Sequence, residues 1–257
     1  MTMGPKPMIR IALSLLLAAI AAPIASAQPA RKPFSIVLVH GAFVDASGWQ
    51  AVFNILSNDG YEVLVVQNPT ITLDGDVAAT ERVIATAKNP VILVGHSYGG
   101  MVITQAGDNP KVQRLVYLAA YAPDAGESVA SIGQQPTAPG ETRASLLPPQ
   151  DGYLRVDPET FPASFAADVD ASLTRFMAAS QVPWGGEARQ AKITKVAWKV
   201  KPTYYLVTTK DRMIPPSFQK HFAERSRAKM QTIDSSHAVM LSHPTEVASF
   251  IKSAGSD

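Results

Sequence analysis

The 257-residue chain contains no cysteine. That excludes disulfides, a thiol nucleophile and any metal site built on thiolates. Aromatic residues are few, at 7%, and charged residues make up only 17%. With 23 basic against 21 acidic residues, the formal net charge is +2. No basic stripe with interleaved aromatics appears, so nucleic acid is not an expected partner. What the chain does have is apolar bulk. Hydrophobic residues reach 46%, enough for one large domain with a single core, and too many for disorder.

The N-terminus reads as a separate piece. Lys6 and Arg10 precede "IALSLLLAAIAAPIA", an apolar run short of the roughly 17 residues that span a bilayer. Ala25-Ser26-Ala27 then offers a small-x-small cleavage site. The pattern predicts a signal peptide over 1–27, removed on export, and a secreted or periplasmic protein. Its loss would take both basic residues and no acid. The remainder, 28–257, would carry a formal net charge of zero and no stable membrane association.

Within 28–257, strand-like and helix-like stretches alternate. "FSIVLVH" (34–40), "YEVLVVQNP", "PVILVGHS", "VQRLVYLAAY", "PTYYLVTTKD" and "KMQTIDSS" read as about six strands. Helical spacing lies between them. Trp49, Val52, Phe53 and Leu56 form one face, and Val77, Thr80, Val83, Ile84 and Ala87 another. Continuous apolar strands separated by helices predict an α/β fold with a mostly parallel, doubly wound sheet covered on both faces. One interval breaks the rhythm. Residues 123–202 hold no convincing strand but two helical patterns, 162–181 and 186–198. An insertion of that size leaving the carboxyl end of the sheet predicts a helical cap over a ligand site.

"VILVGHSYGG" (91–100) carries the candidate chemistry. Gly-x-Ser-x-Gly alone is a weak signal. Here a strand precedes it and a helix follows, the context that sets a serine on a strained turn. Gly95 and Gly99 leave room for that turn, and the helix aims its first N–H groups at the site. Ser97 is the candidate nucleophile. It needs a base. Of five histidines, His96 adjoins the serine and points elsewhere, and His40 braces the loop after the first strand. His221 lies on a helix surface and His243 starts a helix. His237 follows the last strand and is the candidate base. Asp211, after the preceding strand, is the candidate orienting acid, with Asp124 and Asp234 as weaker competitors. The order Ser, Asp, His fits a strand–turn–helix nucleophile. The Tyr98 N–H, with that of Ala42 first and Phe43 second, would form an oxyanion hole. Losing one such donor typically costs about 100- to 1000-fold in rate.

The segments "HGAF", "GHSYGG", "TTKDRMIPP" and "SSHAVMLSHP" resemble the α/β-hydrolase superfamily, most closely its small capped esterase branch, which includes plant methylesterases and hydroxynitrile lyases. The resemblance spans Phe34 to about Ile251. It implies the triad Ser97–Asp211–His237, acyl-enzyme chemistry, no cofactor and no metal. There are departures. "HGAF" stands where lipases have HGGG. Gly41 and Ala238 stand where the lyases carry threonine and lysine, which tilts the expectation toward hydrolysis. A lyase, a perhydrolase and a silent ligand-binding protein are the competing readings.

The cap supplies Phe161, Phe165, Phe176, Met177, Trp184 and Trp198. Near the motifs lie Tyr98, Met101, Tyr121, Met213 and Met240. From these, Met101, Tyr121, Trp184 and Met240 are the expected substrate contacts. No arginine cluster surrounds the motifs, so the expected substrate is a small to medium, fairly apolar ester.

Overall fold

The computed structural model describes residues 33–256, together with Met1, Thr2 and Gly4. The chain divides into Met1–Ala30 and Arg31–Asp257, and the fold below is that of the second unit. Apart from Met1, Thr2 and Gly4, the predicted leader lies outside the described residues, and so does its cleavage site. No helix among those residues is long and apolar enough to cross a membrane.

Six strands form the main sheet: β1 (Ser35–Val39), β2 (Glu62–Val66), β3 (Val91–His96), β4 (Val112–Leu118), β7 (Thr203–Thr208) and β8 (Lys229–Ile233). Their order is β2-β1-β3-β4-β7-β8, and every pair is parallel. Side chains alternate between faces along a strand. Val37, Val39, Leu93, Leu115 and Tyr117 enter one core, while Ile36, Leu38, Ile92, Val94 and Val116 enter the other. Both cores are apolar, which is why the central strands read as unbroken hydrophobic runs. The edge strand β8 is largely exposed.

The helices α1 (Gln50–Asn58), α2 (Leu73–Thr86), α3 (Gly99–Ala106), α8 (Pro216–Arg225), α9 (Val239–Ser242) and α10 (Pro244–Ser253) join these strands or close the chain. One predicted helix face shifts, and the other packs as read but gains a buried acid. In α1 the buried residues are Val52 and Leu56, and Phe53 is 36% exposed. In α2 the fully buried positions include Asp76, which no apolar-periodicity reading selects.

The interval between β4 and β7 differs most from expectation. It carries α4 (Val129–Gly133), α5 (Phe161–Phe165), α6 (Ala171–Ala179) and α7 (Gly186–Gln190), with a two-residue antiparallel ribbon of β5 (Tyr153–Leu154) and β6 (Trp184–Gly185). The pattern at 162–181 is split. Ala166 leaves the helical region, and Asp170 opens a new helix by accepting from the Ser172 and Leu173 N–H groups. The pattern at 186–198 stops after one turn, because Ala191 is extended and Ile193 pairs its backbone with Gly126 and Glu127.

Candidate active site

The chain reverses winding direction between β1 and β3, and open parallel sheets bind ligands at the carboxyl ends beside such a point. Ser97 follows β3 there. Its φ is +55°, in the left-handed region where a side chain is strained. That turn closes because its neighbours lack side chains. A Cβ on Gly95 would stand 2.7 Å from Gly99 O, and one on Gly99 would stand 2.8 Å from the Val39 and His40 carbonyls. The loop after β1 crosses equally close. A Cβ on Gly41 would stand 2.6 Å from Ser97 Cβ.

Two partners reach this serine from strand ends across the sheet. His237 Nε2 lies 2.8 Å from Ser97 Oγ, and His237 Nδ1 lies 2.7 Å from Asp211 Oδ2. Asp211 is held on all sides. Its Oδ1 accepts from the Met213 and Ile214 N–H groups at 2.7 and 2.9 Å, and its Oδ2 from Gln219 Nε2 at 2.8 Å. These bonds fix it as an ionised acceptor, which in turn holds the proton on His237 Nδ1 and leaves Nε2 free to accept. Asp124 and Asp234 lie elsewhere, paired with Lys199 and Lys210.

The histidine is braced by groups that motif reading does not reveal. His96 Nε2 donates to the His237 carbonyl at 2.9 Å. Burial, then the adjacent His237, pushes the His96 pKa well below its ordinary 6.5, so the ring is neutral and a steady donor. From the insertion, Phe165 places its ring edge-on to His237 at 4.8 Å and its carbonyl accepts from the Ala238 N–H at 3.0 Å. Asp168 accepts from Ser235 Oγ at 2.8 Å, the Ser236 N–H at 3.0 Å and the Ser236 hydroxyl. Burial would raise the Asp168 pKa, but the Ser236 and Ser235 bonds outweigh it and hold the carboxyl below its ordinary range.

A cavity of about 360 Å3 opens over Ser97, within the size range of small-ligand sites. Ala42, Phe43 and Tyr98 line it beside the serine. Among the described residues, the Tyr98, Ala42 and Phe43 N–H groups have no acceptor within the chain. Phe43, itself at φ 68°, sets its ring against Trp184 at 5.6 Å. Tyr98 also shapes the wall. Its ring tilts against Trp184 at 5.2 Å, and its hydroxyl donates to the buried Asp76 at 2.6 Å. Asp76 also accepts from the Thr70 N–H at 2.7 Å. Burial raises its pKa to about 6 despite these donors.

Of the four expected substrate contacts, Tyr121 and Trp184 line the cavity and two do not. Met101 points into the core from α3, and Met240 packs in the opposite core, against the α1 and α10 face of the sheet. Each follows a motif residue in sequence, yet its helix turns it away. The wall also holds Arg143 and Arg189, which chain distance concealed. A more open hollow of about 960 Å3 beside Asp211 and Arg212 includes neither Ser97 nor Tyr98.

With this geometry in hand, the comparisons agree on a class. Residues 36–250 match the Alpha/beta hydrolase family, and the chain belongs to it. A carbendazim hydrolyzing esterase from Nocardioides sp. is 37% identical over 115 residues, covering 38% of this chain and 46% of that protein. An alpha-hydroxynitrile lyase from Arabidopsis thaliana is 24% identical over 249 residues, covering 86% of this chain and 96% of that protein. The crystal structure of a pyrethroid hydrolase from Sphingobium faniae superposes with a TM-score of 0.74 at 21% identity, covering 87% of this chain and 98% of that one, which is a likeness of fold.

Proposed function

We propose that this protein is a serine esterase whose nucleophile is Ser97. The observation that carries the reading is the unbroken chain from Ser97 Oγ to His237 to Asp211, at 2.8 and 2.7 Å, on a strained turn that opens into a cavity. Ser97 Oγ attacks the ester carbonyl while its proton passes to His237 Nε2. The oxyanion that forms is met by the Tyr98 and Ala42 N–H groups. The tetrahedral adduct then collapses, and the imidazolium returns the proton to the departing alcohol. A water, deprotonated by the same Nε2, attacks the acyl-serine and releases the acid. Asp211 stays ionised throughout and stabilises the imidazolium.

Export through a leader cleaved after Ala27 belongs to the same reading. N-terminal sequencing of the exported protein then begins at Gln28.

A panel of p-nitrophenyl esters of increasing acyl length, with Ser97→Ala as control, tests the chemistry. Hydrolysis that vanishes in Ser97→Ala, together with labelling of Ser97 by an organophosphate, supports it. Absence of both in folded protein overturns it. The lyase activity named for the Arabidopsis relative is tested alongside, with mandelonitrile as substrate. The residue after His237 here is the buried, apolar Ala238, which supplies no cation for a departing cyanide.

A further inference from the structure

The wall around Ser97 carries two positive charges and no negative one. Arg143 comes from the loop before β5 and Arg189 from α7, on opposite sides of the ribbon. They nevertheless converge. A Cβ built on Gly133 would stand 3.8 Å from Arg143 Nη1 and 3.7 Å from Arg189 Nη2. Arg143 is fixed but not neutralised. It donates to the Gly133 carbonyl at 2.6 Å and lies over the Phe218 ring at 4.7 Å. Arg189 has no hydrogen bond or ion pair among the described residues.

Of the acids nearby, Glu187, two positions before Arg189, lines a separate hollow with Thr72 and Lys192, and three others are engaged elsewhere. Glu141 accepts from the Ser217 N–H and hydroxyl, Glu127 pairs with Arg225, and Asp211 serves His237. Tyr121 completes the wall. Burial and the Asp211 carboxylate push its pKa up, Arg143 and Arg189 pull it back, and it stands at about 12, so the phenol remains a donor under working conditions. Two like charges in a half-buried wall repel, and no carboxylate among the described residues pairs with either. Guanidinium forks match a carboxylate, bidentately and with direction.

We propose that the substrate is an ester bearing a carboxylate, which Arg143 and Arg189 hold together with the Tyr121 hydroxyl while Ser97 attacks the ester carbonyl in the same cavity. This rests on the esterase reading above and refines its substrate. The apolar remainder, including Leu146, Leu154 and Met213, accommodates the body of the molecule.

The test uses matched pairs. p-Nitrophenyl hydrogen adipate is compared with p-nitrophenyl methyl adipate, in which the carboxylate is capped. 4-Acetoxybenzoate is compared with its methyl ester, which places the carboxylate on the alcohol side. In one pair at least, kcat/KM is expected to favour the anion by about 10- to 100-fold, in line with a charge-assisted bidentate contact. Added salt should shrink that preference. Arg189→Gln should erode it, Arg143→Gln/Arg189→Gln should abolish it, and Arg143→Lys/Arg189→Lys should keep part of it. Melting curves report whether each variant is folded. An independent arm measures adipate binding to Ser97→Ala by calorimetry, with and without the Arg189→Gln change. Preference for neither anion, or a preference that survives loss of both arginines, overturns the proposal. If no ester is turned over but adipate binds Ser97→Ala through Arg189, the esterase reading fails and the anion site stands. If neutral esters are hydrolysed and adipate does not bind, the reverse holds.

Discussion

At the strand ends, every side-chain polar atom of the Ser97–His237–Asp211 chain has a partner, and Asp211 alone accepts from His237, Gln219, Met213 and Ile214. A few ångströms out, the cavity wall is built on other terms. Its outer pieces are one-turn helices and a two-residue ribbon, and it leaves the Arg189 guanidinium without an acceptor among the described residues. The contrast teaches a division of labour. Asp211 is saturated with bonds from its own loop, from α8 and from His237. Arg189 is left unpaired on a five-residue helix of the insertion. The two regions meet where Asp168 holds the Ser235–Ser236 loop, where Phe165 packs against His237 and where Trp184 packs against Phe43 and Tyr98.

The contrast breaks most sharply at the centre. Ser97→Ala should lower kcat by about 10^4- to 10^6-fold while leaving ligand affinity nearly intact, read by steady-state kinetics and calorimetry. Asp211→Asn comes next, at about 10^3- to 10^4-fold, because the amide favours the wrong imidazole tautomer. A loss of less than tenfold would mean that His237 is oriented without it.

Asp168→Ala probes the seam between the regions. It strips acceptors from Ser235 and Ser236, and leaving buried donors unpaired costs about 1–3 kcal/mol. The expectation is a lower melting temperature and a kcat about 10-fold down with KM little changed, since the loop carrying His237 loosens. An unchanged kcat would show that Phe165 and His96 suffice.

Asp76 gives a pH signature. Its folded pKa of about 6 lies above the ordinary 3.8, so the native state binds the proton more tightly than the unfolded chain. Its stabilising contribution is therefore full below about pH 4 and is lost as pH rises through about 6. Asp76→Asn should flatten the dependence of melting temperature on pH across that window. An unaltered slope would remove Asp76 as its cause. The smallest effect belongs to Phe176, 68% exposed on α6 and absent from the cavity wall. Phe176→Ser should change stability by no more than about 0.5 kcal/mol and leave kcat/KM unaltered.

How far each region can be read from sequence follows from the same contrast. Strand ends lie at the boundaries of long, strongly patterned segments, so Ser97, Asp211 and His237 stand out although up to 140 positions separate them. Six apolar runs spaced by helices have one economical arrangement, the parallel sheet. The wall has no such signature. Helices of five residues bury too few positions for a period to show, so 162–181 and 186–198 read as continuous helices when neither is. Met101 and Met240 adjoin motif residues and were expected at the substrate, yet a helix rotates each neighbour by about 100° and turned them into the two cores.

What the sequence determined by itself is the order of strands and helices, the strained serine turn and the residue types able to do acyl-transfer chemistry, because these rest on local sterics and on period. What only the tertiary structure decided is which side chains face the serine. Arg143 and Arg189 sit 46 positions apart on either side of β5 and β6, and nothing local to either marks a partner. They become a pair only when the insertion folds back over the sheet and brings both beside Gly133, where charge and distance, rather than pattern, set what the cavity can hold.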